Sequence, residues 1–457
     1  SYSGSVGIRL SSRNTKNFLV SIVVRRTQGS YNGTGQSTAR NLRGRVVLLE
    51  AEAIQTARWQ ALTSFIRQWY YEPDIQALGV LLSVAHAHYS LNDMPVWALA
   101  LGEPGSGKTE LMMQVLSGFA PVGQDGRIPI VKSSPSAPHT NVYILDDLSD
   151  KTLLSGFQKR GKINPRNSLL HLLGNSILFL MPDFTLFLSK RKEVQEEIMG
   201  NLRRVWDGHL TKTLGNMDGQ RLEWGPGAKA TIIGAATPAI ETRWSINNDL
   251  GNRFLIVRWR TGRSRIDMAR YANRQIGKRE YIRTEIRKLA RMFIAGARTA
   301  EPASEEQTDN LIRLATVVAE MRRSVERNMR GEIVSVSDAE APTRISMAMG
   351  QTARAHAGLF ARERPNEEDL KIARRLGLDT IPEGRRKIVD AVAASRALSM
   401  GDLARELRQT IQTLKYNVNE LEALGILEVV SGKDNGVPDS IMLDPEFRSL
   451  WHDAGLG

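Results

Sequence analysis

Eight consecutive residues just after position 100 have the types and spacing that bind phosphate. The run Gly102, Glu103, Pro104, Gly105, Ser106, Gly107, Lys108 and Thr109 matches the pattern G-x-x-x-x-G-K-[ST] without a gap. Glycines allow a tight turn whose backbone N–H groups point at one anion, and the N-terminus of a following helix adds its dipole. We expect Lys108 to reach the β- and γ-phosphates of a nucleotide and the Thr109 hydroxyl to bind Mg²⁺.

The segments around this run are those that must hold it in place. An apolar stretch ending near Leu101 predicts a buried strand, and residues 110–119 predict a helix. Two further strands are predicted over 142–145 and 177–181, and each ends in acidic residues. Strand, glycine loop and helix in this order predict a P-loop.

A carboxylate at the tip of a strand beside the P-loop is expected to hold the magnesium ion. Asp147 follows the first predicted strand and Asp183 follows the second. The strand before Asp183 is the more continuous apolar run and leads into a helix predicted over 190–206, so we favour Asp183 and keep Asp147 as the alternative. Phe184 comes next, where many ATPases carry the glutamate that orients water, so the catalytic base stays unassigned.

The segment 209–227 predicts a β-hairpin, because two short strand-like arms enclose the turn residues 215–219. Lys212 and Arg221 lie on its arms. A buried strand predicted over 231–235 follows and ends just before Thr237, and a last strand is predicted to begin just after Arg253.

Taken together, these motifs resemble an AAA+ ATPase of the pre-sensor-1 hairpin group, which includes the minichromosome maintenance helicases and viral or plasmid replication helicases. The resemblance covers roughly residues 97–376, and 341–376 is similar to the helical lid of a minichromosome maintenance ATPase. It implies that Thr237 is the sensor 1 residue, Arg253 the arginine finger and Arg344 the sensor 2 arginine. It also implies ATP with Mg²⁺ as cofactors, ATP hydrolysis between subunits, and a homo-oligomer that we expect to be a hexameric ring.

Residues 395–430 resemble a winged helix-turn-helix. A helix is predicted from near Ser399, a break near Gln409, and a longer helix to Ala423, with a wing hairpin over 429–443. In such a module the second helix enters the major groove of DNA. The polar residues of that helix are therefore the predicted DNA contacts: Gln412, Thr413, Lys415 and Tyr416, besides Lys212 and Arg221 of the earlier hairpin.

The chain is basic overall, with a net charge of +13 and a pI near 9.9 over 457 residues. This charge favours a polyanionic partner such as DNA. Residues 1–49 contain no acidic residue, which is typical of an arm that is either mobile or bound to a polyanion. The absence of cysteine excludes disulfides and cysteine-ligated zinc, and no stretch resembles a membrane span or signal, so we expect a cytoplasmic protein with no membrane partner.

The expected fold is α/β, a P-loop AAA+ parallel sheet sandwiched by helices, with a helical lid and a C-terminal winged helix-turn-helix. The predicted boundaries are a basic arm with helices over 1–75, an ATPase core over 76–262, a lid over 263–380 and a winged helix over 381–457. The predicted function is an ATP-dependent motor on single-stranded or forked DNA, a ring helicase of a mobile element or replication system. The alternatives are an ATP-switched DNA-binding regulator and an ATPase that remodels protein.

Overall fold

A computed structural model describes residues 35–120, 141–149, 152–154, 157–159, 162–164, 168–213, 221–244, 253–395, 397–431 and 439–457. Contacts divide the chain into two units, Ser1–Leu49 and Glu50–Gly457. The first helix begins at Gly35, so it covers the end of the basic arm.

The described elements of the first half of the chain alternate between helices and strands. In chain order they are α1 (Gly35–Trp69), α2 (Ile75–Ser90), β1 (Trp97–Leu101), α3 (Lys108–Leu116) with a 3-10 turn (Ser117–Phe119), β2 (Asn141–Ile144), β3 (Phe157–Lys159), β4 (Lys162–Asn164), α4 (Leu169–Leu173), β5 (Ser176–Met181), α5 (Thr185–Leu188), α6 (Lys192–Trp206), β6 (Leu210–Thr213), β7 (Arg221–Trp224), β8 (Lys229–Ala236), α7 (Ala239–Trp244) and β9 (Phe254–Arg258). The predicted strands before Asp147, Asp183, Thr237 and after Arg253 are all found.

Five of these strands form a parallel sheet in the order β2-β5-β8-β1-β9. Alternate side chains of a strand point to opposite faces. Ala98 and Ala100 of β1 therefore pack against α2 and α3, whereas Trp97 and Leu99 pack with Leu202 of α6 on the other face. The sheet is covered by helices on both faces, as the predicted α/β class requires.

The expectation that the acidic strand lies beside the P-loop strand is wrong. The neighbours of β1 are β8 and β9, and β8 separates β1 from β5, which carries Asp183 at its end. Strand β8 follows β5 in the sequence but lies between β1 and β5 in the sheet. The order of strands along a sequence does not reveal such a crossover.

The second half of the chain is mostly helical. Its elements are α8 (Arg265–Arg274), α9 (Arg279–Ile294), α10 (Glu305–Met321), β10 (Val325–Arg327), β11 (Ile333–Val336), α11 (Thr343–Leu359), α12 (Glu367–Thr380), α13 (Glu383–Ser395), β12 (Leu398–Ser399), α14 (Met400–Leu407), α15 (Ile411–Ala423), β13 (Leu427–Val430), β14 (Ser440–Leu443) and α16 (Pro445–Asp453). Capping boxes at Ser304 and Asn366 open α10 and α12.

Helix α12 closes the free edge of the sheet. The hydroxyl of Thr380 accepts a hydrogen bond from Ile256 N at 2.9 Å, and Asp379 Oδ2 accepts one from Arg258 N at 3.0 Å. Both donors belong to β9, the edge strand, whose outward N–H groups would otherwise lack partners. The lid is therefore fixed to the strand that follows Arg253.

The helices α14 and α15 confirm the predicted helix-turn-helix. Leu414, Val418 and Leu421 form the buried face of α15, and β12, β14 and β13 form an antiparallel sheet beside it. The predicted wing has its two strands, β13 and β14, whereas the residues 432–438 between them lie outside the described part. No helix in the described part of the chain is long and apolar enough to cross a membrane.

Candidate functional site

The glycine loop joins the end of β1 to the start of α3. Gly105 and Gly107 have φ angles of +77° and +74°, in the left-handed region that favours glycine. Gly102 is needed for another reason, because a Cβ at this position would lie 2.9 Å from the Cβ of Trp259. The loop is therefore tight and leaves the N-terminus of α3 open to bind an anion.

Lys108 and Thr109 lie at the start of α3. Lys108 is only 6% exposed, and this burial lowers the pKa of its ammonium group, while the negative charge of Asp183 acts in the opposite direction. The Thr109 hydroxyl donates to Pro182 O at 3.4 Å. Both P-loop side chains thus lie beside the segment that carries Asp183.

Thr185 connects two of the predicted site residues, although the sequence reasoning did not select it. Its backbone N donates to Asp183 Oδ1 at 2.9 Å, and its hydroxyl accepts a bond from Thr237 N at 3.4 Å. Asp183, Thr185 and Thr237 therefore share the carboxyl edge of the sheet with the P-loop. An aspartate side chain that accepts from the backbone N–H two residues later forms a side-chain turn, so Asp183 itself was the available signal.

Asp147 has a different environment. Lys190 forms an ion pair of 2.8 Å with it, and this hydrogen bond lowers the pKa of the Asp147 carboxyl. It follows β2, which lies three strands from β1, or about 14 Å away at the usual strand spacing, whereas β5 lies about 10 Å away. The strand that ends at Asp183 therefore lies closer to the glycine loop than the strand that ends before Asp147.

Phe184 cannot present a side chain to a bound nucleotide. It is 0% exposed, and its ring packs 5.3 Å from that of Phe187 and 5.1 Å from that of Phe254. Its backbone N donates to Ala235 O at 2.7 Å, which fixes the chain beside β8. The position after Asp183 therefore offers no polar side chain at this edge of the sheet.

Two further contacts around the glycine loop come from residues that no sequence motif marks. A Cβ on Gly107 would lie 3.0 Å from Tyr70 Cδ1, so the tyrosine ring packs on the loop. Arg283 donates to both carboxylate oxygens of Glu110, at 2.6 and 2.9 Å, and so joins the first turn of α3 to α9. These partners are far apart in sequence, and only the fold brings them together.

Arg253 and Arg344 lie together at the opposite edge of the sheet. Both line one cleft with Trp97, the first residue of β1, and with Gln351. Burial lowers the pKa of the Arg253 guanidinium, Asp207 opposes this shift, and the positive charge of Arg344 adds to it. The five residues of β1 span about 16 Å, so neither arginine reaches the P-loop of its own chain.

The arms of the predicted β-hairpin are confirmed. Strands β6 and β7 pair antiparallel, with Lys212 opposite Leu222 and Thr213 opposite Arg221. Lys212 is partly exposed and Arg221 is exposed. The predicted tip at 215–219 lies outside the described residues. The hairpin follows α6 and precedes β8, so it starts at the same edge of the sheet as Arg253.

The polar residues predicted on α15 lie at its surface. Gln412, Thr413, Lys415 and Tyr416 are all exposed. Tyr416 also contacts the lid, because the guanidinium carbon of Arg327 lies 3.8 Å from the centre of its ring. Glu420 on the same helix is 8% exposed and pairs with Arg385 at 3.0 Å. The helix is therefore held by the lid on one side and open to solvent on the other.

The comparisons with known proteins agree with this C-terminal module. A helix-turn-helix domain family matches residues 384–430. The match begins in α13 and ends with β13, so it includes both α14 and α15. A helix-turn-helix domain of this kind indicates an interaction with DNA. A search of the curated proteins finds no match to this chain.

Proposed function

We propose that this protein is an ATP-dependent motor of the AAA+ class that acts on DNA, and specifically a ring helicase. The observation that carries the proposal is the division of charged groups between the two edges of one sheet. Lys108, Thr109 and Asp183 lie at the carboxyl edge, and Arg253 and Arg344 lie at the amino edge.

The carboxyl edge fits ATP and Mg²⁺. Within the described part of the chain, the hydroxyl of Ser106 is buried in the loop without a hydrogen-bond partner, so it is available to bind a ligand. Lys108 would neutralise the phosphates, and Thr109 and Asp183 would supply oxygen ligands to the magnesium ion. The bound ion would supply charge stabilisation during phosphoryl transfer.

The amino edge fits a phosphate from a second copy of the chain. Arg253 and Arg344 repel each other across their shared cleft, and Arg253 Nε has no hydrogen-bond partner among the residues that the structure describes. An anion between them would relieve both conditions. Because neither arginine reaches its own P-loop, the phosphate would come from a neighbouring subunit, and head-to-tail contacts whose rotation closes form rings. A hexamer is the ring we propose, with Arg253 as arginine finger and Arg344 as sensor 2.

The DNA-acting part of the proposal rests on three features. The helix-turn-helix match and the exposed polar face of α15 support DNA binding. A net charge of +13 favours a polyanion. The hairpin β6–β7 starts close to Arg253 and carries Lys212, which would contact DNA phosphates without sequence preference, as a motor requires.

The second candidate is an ATP-switched regulator that reads DNA through α15. Buried Phe184 favours this alternative, because a chain without a residue to orient water after Asp183 would hydrolyse ATP slowly. Slow hydrolysis suits a switch, in which nucleotide changes the oligomeric state.

The two candidates differ in their response to DNA. We would measure ATP turnover of the purified chain alone, with single-stranded DNA and with forked DNA, and compare Lys212→Ala with the unaltered chain. A motor predicts that DNA stimulates turnover and that forks are unwound, and that Lys212→Ala weakens both. Turnover that does not respond to DNA, in a chain that still binds duplex DNA, would favour the switch.

A further inference from the structure

A small β-hairpin interrupts the lid between α10 and α11. Its strands β10 and β11 pair antiparallel, and the side chain of Asn328 stabilises its turn. Asn328 Oδ1 accepts hydrogen bonds from Arg330 N at 2.9 Å and Glu332 N at 3.0 Å, and Asn328 Nδ2 donates to Glu332 Oε2 at 2.7 Å. The hairpin therefore has an ordered tip.

This ordered tip presents side chains that pack on nothing in the described chain. Met329 is fully exposed, at 106% of its reference area, and Arg330 beside it is also exposed. An exposed methionine next to an arginine, in a turn fixed by hydrogen bonds, indicates a surface that contacts another molecule.

Arg327 joins this tip to α15. Its guanidinium donates to Gly331 O at 2.7 Å and to Tyr416 O at 3.0 Å, and it also covers the Tyr416 ring. Its side chain is only 13% exposed, and it links the hairpin to α15. One guanidinium thus sets the distance between the hairpin tip and the helix.

The open face of α15 lies next to the tip. Gln412, Tyr416 and Asn419 follow one another at spacings of four and three residues, which places them on one side of the helix. Tyr416 is at the margin of that face, where Arg327 covers it. If α15 enters the major groove along this face, the β10–β11 hairpin beside Tyr416 lies against the flanking DNA backbone.

We propose that the tip of the β10–β11 hairpin, Met329 with Arg330, is a second DNA-contact element that binds the backbone of duplex DNA beside the groove occupied by α15. The proposal rests on DNA binding by the helix-turn-helix domain. Arg330 supplies a phosphate contact and Met329 an apolar contact with the sugars. Because the turn is ordered beforehand, little conformational entropy is lost on binding.

The first test measures the affinity of the full chain for a fluorescein-labelled duplex of mixed sequence at several salt concentrations. Arg330→Ala is expected to weaken binding about fivefold and to lower the slope of log Kd against log salt by about one. Arg364→Ala is the matched control, because Arg364 is also an exposed arginine. It precedes α12, whose 14 residues span about 21 Å between Arg364 and the start of α13.

The second test exploits the absence of cysteine from the chain. Met329→Cys carries a single iron–EDTA group, which cuts nearby DNA backbone, and Arg364→Cys carries the same group as control. We expect cuts beside the protected duplex from position 329 and none from position 364. If the labelled chain binds the duplex without cutting it, and Arg330→Ala behaves like Arg364→Ala, the hairpin proposal is overturned while DNA binding stands. A chain that binds no DNA overturns both.

Discussion

The guanidinium of Arg253 is anchored by the carboxylate of Asp207, with 3.3 Å between Nη2 and Oδ1. The same guanidinium lies over the ring of Trp206, 5.1 Å from its centre. Asp207 stands between α6 and β6, at the base of the β6–β7 hairpin. The arginine proposed to act on a neighbouring subunit and the hairpin proposed to grip DNA therefore share one anchor.

Removal of this anchor is expected to slow ATP turnover without preventing nucleotide binding. In Asp207→Ala the guanidinium loses its fixed position while the P-loop at the other edge is unchanged. We expect turnover to fall about fivefold, which corresponds to about 1 kcal/mol. Steady-state ATPase rates and the Kd of a labelled nucleotide check this, and an unchanged rate would show that Asp207 does not position Arg253.

The two candidate magnesium ligands can be separated by parallel substitutions. Asp183→Asn is expected to lower turnover about 100-fold or more, because a neutral amide binds Mg²⁺ poorly. Asp147→Asn is the matched control, and it should alter turnover little because Asp147 pairs with Lys190 at the far edge strand. The magnesium dependence of turnover measures both, and the reverse ranking would assign the site to Asp147.

Much of the P-loop edge could be predicted from local sequence. The glycine loop and the acidic strand end are short patterns, and the strands around them are continuous apolar runs, so their positions follow from a few residues each. The role of Phe184 was harder to predict, because its burial depends on the rings of Phe187 and Phe254. Thr185 could have been selected from the aspartate two residues before it.

The features that could not be predicted depend on contacts between distant residues. The strand order could not be predicted, because β8 lies between β1 and β5 in the sheet although it follows both of them in the sequence. The pairing of Arg253 with Arg344 in one cleft joins the start of β9 to the start of α11. The β10–β11 hairpin is formed by strands too short for their periodicity to be visible in the sequence.

The lid contact with β9 predicts a graded loss of stability. Thr380→Val leaves Ile256 N buried without its acceptor and is expected to cost about 1–3 kcal/mol. Asp379→Ala removes the buried partner of Arg260 and Arg375 as well, so we expect about 3–5 kcal/mol. Denaturant unfolding midpoints measure both, with Glu196→Ala, an exposed ion pair, as a control that costs under about 1 kcal/mol. Equal midpoints for all three would contradict the docking role of α12.

A buried histidine predicts a dependence of stability on pH. His88 contacts the hydroxyls of Thr231 at 3.0 Å and Ser176 at 3.2 Å, and burial, with the nearby charge of Lys229, lowers its pKa to about 3. The unfolded chain takes up this proton near pH 6.5, so the stabilising effect is complete above that pH and is lost as the pH falls towards about 3.

The expected contribution of His88 is up to about 1.4 kcal/mol for each pH unit below 6.5. His88→Gln lacks the titrating group, so its unfolding free energy should fall less steeply between pH 6.5 and pH 5 than that of the unaltered chain. Denaturant unfolding at both pH values measures the difference. Parallel pH profiles for the two proteins would show that His88 is not kept neutral in the folded state.

The central claim, that a nucleotide bound at Lys108 of one subunit is acted on by Arg253 of the next, is tested most directly by mixing two inactive variants. Lys108→Ala should lose nucleotide binding, and Arg253→Ala should bind nucleotide but lose about 10³-fold in turnover. In mixed rings about a quarter of the interfaces combine an intact P-loop with an intact arginine, so we predict that ATP turnover returns to about a quarter of the normal rate. A mixture that stays inactive although the two variants assemble together, or an Arg253→Ala chain with normal turnover, would contradict the claim.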